Sequence, residues 1–162
     1  MTKKKQKGVE YRLLIKPTYD ETLRKAGTLF QIETVKQFSN FSYEVVVDES
    51  FDGNHLTWAL HGLRAPELLM PSFGGAVYRK VHFDLKGTYT FTLKKIDSVV
   101  NEFTMKILPT SVFVKDFVGK PFVSLYTSDT LFEERRSQEM EIPEHKPDIK
   151  RSPEPASITK KR

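Results

Sequence analysis

The chain has 162 residues, 38% of them hydrophobic, with twelve phenylalanines, six tyrosines and one tryptophan; that is enough apolar material for one folded domain with tails, and it excludes a wholly disordered chain. There is no cysteine, so disulfide frameworks and cysteine-ligated zinc or iron–sulfur sites are excluded. The net charge of +5 divides unevenly: residues 1–7 carry four lysines and no acid, residues 133–162 carry eight basic and seven acidic residues, and residues 8–132 carry fourteen of each sign, so the body lacks the basic excess expected of a phosphate-binding surface.

The N-terminus, residues 1–8, reads as a basic, flexible segment. Its lysines Lys3, Lys4, Lys5 and Lys7 resemble the charged start of a signal peptide, but the apolar run that should follow is broken by Glu10 and Arg12. The run is also a candidate contact for nucleic acid or an anionic surface; a solubilising end is the favoured reading, because no aromatic residue is interleaved for base stacking. No stretch of about 18 apolar residues occurs, so no membrane span is expected. The default placement is cytoplasmic.

Residues 9–132 read as the folded domain. Strands are expected over 11–16 and 29–36, and between them Asp20 caps a predicted short helix over 20–26 that Gly27 closes. Strict alternation marks 41–48, where Phe41, Tyr43, Val45 and Val47 share a face, and 55–61, where Leu56, Trp58 and Leu60 do. Between these two strands Asp52-Gly53-Asn54 is turn chemistry. The neighbouring acids Asp48 and Glu49 lack the spacing of a calcium loop. Further strands are expected over 77–84, 88–93, 102–108, 112–117 and 122–126, with turns at 85–87 and 97–101. The run Gly87-Thr88-Tyr89-Thr90-Phe91-Thr92-Leu93 resembles strands of immunoglobulin-like sandwiches in general architecture, without their cysteine pair. The expected fold is therefore an all-β, antiparallel two-sheet sandwich of about seven to nine strands with one short helix.

Residues 133–162 change character. They hold four prolines, many charges and no aromatic residue, the composition of a disordered tail, with at most a helical turn near Glu133-Glu134-Arg135-Arg136.

Chemistry is sparse. His55 and His61 share one side of a strand, but six residues place them about 20 Å apart, too far for a common metal. His82 is expected on the outside of its strand. Phosphate-cradling glycine loops and the nucleophile-elbow motif are absent. No catalytic residue, metal or cofactor is assigned; were the chain an enzyme, His61, His82 and Asp84 would be the first residues to test for proximity. The least ordinary segment is 63–77, a long connection rich in apolar residues. In one reading Leu68, Leu69, Met70 and Phe73 plug an open end of the sandwich as core, and this is the favoured one. In the other they form a groove with Trp58, and Arg64 orients an acidic group.

The function expected from these features is a non-catalytic binding or protein-interaction module, working through edge strands or the tail, with another protein or a second copy as partner. The alternatives are a small apolar-ligand binder at residues 63–77, with Arg64, Leu68, Met70, Phe73 and Trp58 as its site, and a nucleic-acid accessory protein using the lysine-rich termini.

Overall fold

The computed structural model describes residues 8–141 except Leu69. Nine strands and one helix follow in chain order: β1 (Tyr11–Asp20), β2 (Lys25–Phe38), β3 (Glu44–Asp52), β4 (His55–Arg64), β5 (Gly74–His82), β6 (Gly87–Lys94), β7 (Val100–Ile107), β8 (Val112–Val118), β9 (Val123–Tyr126) and α1 (Asp129–Glu141). All nine expected strands are present, because period-two alternation and turn residues agree along the whole body.

The architecture is one sheet rather than two. Its order is β8-β7-β6-β4-β3-β5-β2-β1-β9, and it curls until it is nearly closed into a barrel. The sandwich expectation is corrected on this point, as is the purely antiparallel one. Three neighbour pairs, β1/β9, β3/β5 and β4/β6, run parallel, so the sheet is mixed. Strand alternation reports one wet and one buried face, and it does so equally for a sandwich and for a curled sheet.

The buried face points inward. Leu13, Ile15, Phe30, Ile32, Leu56, Trp58, Phe91, Leu93, Phe103 and Met105 form one cluster with almost no exposure. Three of its rings form a continuous stacked series that runs on to an exposed fourth, Phe117. Phe30 stacks on Phe91 at 5.8 Å, Phe91 on Phe103 at 5.1 Å, and Phe103 on Phe117 of β8 at 6.3 Å. Rings of this size supply most of the hydrophobic stabilisation of such a core.

The expected helix over 20–26 is a hairpin turn. Asp20 pairs with Lys25 at the end of a ten-pair ladder, which leaves four residues for the reversal. The Asp20 carboxylate accepts from the Leu23 N–H at 2.8 Å, and Arg24 takes a positive φ of 52°. An aspartate closes a turn with the same side-chain geometry that caps a helix, and the strand ladder on both sides leaves no room for two helical turns.

The helix lies further on. α1 starts inside the expected domain and crosses the expected boundary at 132/133. Phe132 is buried and meets the Tyr126 ring edge-on, so the helix is packed on the outside of the barrel. Residues 142–162 lie outside the described residues.

Candidate functional site

The expected site residues come to separate places. Arg64 ends β4 and holds Glu44 through two hydrogen bonds of 3.1 and 2.6 Å; that hydrogen-bonded partner raises its pKa. The cation expected to orient a ligand thus already has a carboxylate. Trp58 is fully buried, and its indole N–H donates to Glu49 at 2.7 Å, so it is core and not a groove wall. Leu68, Met70 and Phe73 are 72, 61 and 62% exposed, which corrects the plug reading. The connection is latched from outside: Ser72 donates its N–H to the Asn40 carbonyl and its hydroxyl accepts from Ser42. Phe38 and Tyr43 pack against the core instead. Leu69 and the lysines Lys3, Lys4, Lys5 and Lys7 lie outside the described residues.

Histidines and acids pair without gathering. His82 contacts Glu49 at 2.9 Å, Asp84 faces Lys25, and His61 is 3.9 Å from Asp48. The trio His61, His82 and Asp84 therefore splits over three different partners. His55 meets the Thr92 hydroxyl at 2.6 Å, and Thr92 donates to Glu102. With its proton committed to Glu102, the hydroxyl accepts from His55, so His55 carries the hydrogen on Nε2. That threonine is 4% exposed and is out of reach of a substrate in solvent. Among the described residues no group of three or more histidine or acidic side chains is placed to hold a metal.

The concavity of the molecule lies where the sheet fails to close. β8 and β9 are the two ends of the strand order. Following the pairings around the sheet makes them antiparallel to each other, and only residues 119–122 join them. In a closed barrel they would form a hairpin, yet no ladder pair links them among the described residues. The joint is held firmly at one end. The Asn101 amide donates to the Lys120 carbonyl at 2.8 Å and accepts from the Phe122 N–H at 3.0 Å. Gly119 has a φ of 106°, and a Cβ there would stand 2.3 Å from the Val100 carbonyl oxygen, so only glycine fits. Beyond this joint the two strands part.

The gap is a groove of about 960 Å³, continued by a second of about 480 Å³. Phe117, Leu125, Tyr126 and Leu131 line both. Leu131, Glu134, Arg135 and Gln138 form the helical wall; their i, i+3, i+4, i+7 spacing is one face of α1. No family model, curated protein or solved structure matches the chain. The seam must therefore be read from its own chemistry.

That chemistry is amphipathic. Apolar side chains form the floor, and Lys115 and Lys120 line the groove with no ion pair to a described residue. Beside the groove α1 is anchored by charge. Arg12 of β1 and Arg136 of α1 both donate to the buried carboxylate of Glu33 on β2, Arg12 at 3.0 Å and Arg136 at 3.0 and 2.9 Å. Burial lowers the pKa of Arg12 despite Glu33, whereas the hydrogen bond to Glu33 raises that of the more exposed Arg136. Sequence reasoning missed the seam because closure is a property of the whole sheet. Its local trace was Lys115-Asp116 in the middle of an otherwise apolar strand, a pattern that marks an edge.

Proposed function

We propose that this chain is a non-catalytic protein-interaction module that receives a segment of another protein in the seam between β8 and β9. The observation that supports it is the unpaired meeting of two antiparallel edge strands over an apolar groove. Unpaired backbone edges are templates for a further strand, and a groove of this size falls in the range of binding sites. The cysteine-free composition suits the reducing cytoplasm.

A second reading rests on a different observation. Leu68, Met70 and Phe73 leave large apolar surface in water on one connection, which suits a small apolar ligand or a docking contact.

A photo-crosslinking residue placed at Leu131, at Leu68 and, as a control, at Ile96 separates the two. All three side chains are exposed, and Leu131 lines the groove. The seam reading expects a polypeptide adduct from position 131 in the native cell and none from 96. An adduct from 68 alone, or none from 131, would overturn it.

A further inference from the structure

α1 is held on the barrel mostly by charge. Between Asp129 and Gln138 its apolar side chains are Leu131, which is 56% exposed, and Phe132, which is buried. Phe132 and Leu14 are both buried, yet neither belongs to the core cluster. Leu14 points to the opposite side of β1 from Leu13 and Ile15 and pairs with Tyr126 of β9. The apolar footing of α1 is thus a small contact on the outer surface of the barrel wall. Its other attachments are ionic. Asp129 in the first turn takes Lys16 of β1 at 2.5 Å, and Arg136 takes Glu33 of β2 at 2.9 Å. Only the Glu33 side chain of these four is buried, so dissolved ions reach both pairs. The Arg136 guanidinium also lies over the Phe132 ring at 4.8 Å, which couples the ionic hold to the apolar one.

The barrel keeps its buried charge satisfied without α1. Arg12 of β1 donates to Glu33 at 3.0 Å, so departure of Arg136 leaves the carboxylate with a cation and opens it to water. That removes the usual penalty for breaking a buried pair, a bare charge left behind. α1 has little stability of its own. It is 13 residues long, a marginal length for an isolated helix in water. Its last turn holds Glu139 and Glu141 and no base, against the sign that the helix dipole favours there. Off the wall, α1 melts, so docking and folding are one event.

We infer that α1 is a strap, latched by the Lys16–Asp129 and Glu33–Arg136 ion pairs, that releases and melts as a unit while the barrel stays folded. Docked, it presents Leu131, Glu134 and Gln138 to the groove between β8 and β9. Released, it takes that wall of the groove away and uncovers Tyr126. The inference rests on the interaction-module reading for what the strap controls, and on the latch alone for its release. Ionic strength acts on the latch directly, because the Debye length shrinks from about 10 Å at about 0.1 M salt to about 3 Å at about 1 M.

The test is amide exchange on the full chain in low salt and in about 1 M sodium chloride, the latter screening the latch. The amides of Arg136, Ser137 and Gln138 report on α1. Those of β7, which is paired on both sides, report on the barrel, as do two of β8. The β7–β8 ladder starts where Leu108 donates to the Ser111 carbonyl. With Ile107 opposite Val112 and Met105 opposite Val114, alternation turns the amides of Phe113 and Lys115 toward β7 and those of Val112 and Val114 toward the groove. The α1 amides are expected to be protected in low salt, to exchange at least tenfold faster in high salt, and to leave β7, Phe113 and Lys115 unchanged. In the double variant Lys16→Gln and Arg136→Gln they should exchange at the fast rate in both salts. Salt-independent exchange of α1, no protection of α1 in low salt, or loss of protection in β7 in step with α1 would overturn the inference. A Leu131 adduct with a salt-independent α1 sinks the strap and leaves the module reading; a salt-released α1 with no Leu131 adduct does the reverse.

Discussion

Glu33 accepts from two guanidinium groups at once, and the two are not equivalent. Arg12 is 1% exposed, whereas the Arg136 side chain is 30% exposed. Removing one partner of a buried ion pair is costly because it leaves the other charge in a poorly solvated place. Glu33→Ala is therefore expected to cost about 3–5 kcal/mol in urea unfolding. Arg136→Ala keeps the Arg12–Glu33 pair and removes two hydrogen bonds to Glu33 from a partly solvated side chain, so it should cost less, about 1.5–3 kcal/mol, the range for hydrogen bonds to charged groups. Equal losses from the two variants would contradict this ordering. None of it was legible in the sequence: Arg136 and Glu33 are 103 residues apart, and nothing local tells a buried arginine from a solvated one. Trp58 shows the same limit. Its alternation with Leu56 and Leu60 gave its face correctly, but the face alone did not say whether it looked into a filled core or an open mouth.

Elements were read well where local chemistry agrees with itself. Val45 was placed on one face of its strand by alternation, as were Leu56 and Leu60 on theirs, and all three are buried. Asp52-Gly53-Asn54 was read as a turn, and Gly53 takes the positive φ that a two-residue hairpin asks for. Errors arose where one residue serves two structures. Asp20 caps a hairpin turn as readily as a helix, and only the length of the β1–β2 ladder decides. At the other end, the turn read at Glu133-Glu134-Arg135-Arg136 is real, but the helix extends on both sides of it. Charge-rich composition suggested a tail, because the features that hold α1 in place are tertiary: Phe132 against Tyr126, Arg136 on Glu33, and Lys16 on Asp129 at 2.5 Å.

At the scale of the whole molecule, alternation established an all-β chain and left its closure open. The seam is what the sheet order adds, and it positions β8, β9 and α1 around one groove. The barrel also carries a pH signature. Burial, with a nearby carboxylate adding to it, raises the pKa of Tyr11 beside Glu10 and of Tyr78 beside Glu49, and the hydrogen bond to Glu10 raises that of Lys95. A raised folded-state pKa means the unfolded chain releases its proton first as pH climbs. These groups therefore add stability that is fully present below about pH 10 and falls above it. The melting temperature is expected to be flat with respect to these groups from pH 8 to about 10 and to drop above; Tyr11→Phe with Tyr78→Phe should make the drop shallower. An unchanged alkaline slope in that double variant would refute the assignment.

The open seam itself is tested most directly by residue-resolved amide hydrogen exchange on the full chain without any partner. The amides of Phe113 and Lys115, turned toward β7, should exchange slowly, and those of Val112 and Val114 at least a hundredfold faster, as unpaired edge groups do. Equally slow exchange at all four would mean that β8 is already paired on both sides, by β9, a second copy or the chain's own ends, and would contradict the account.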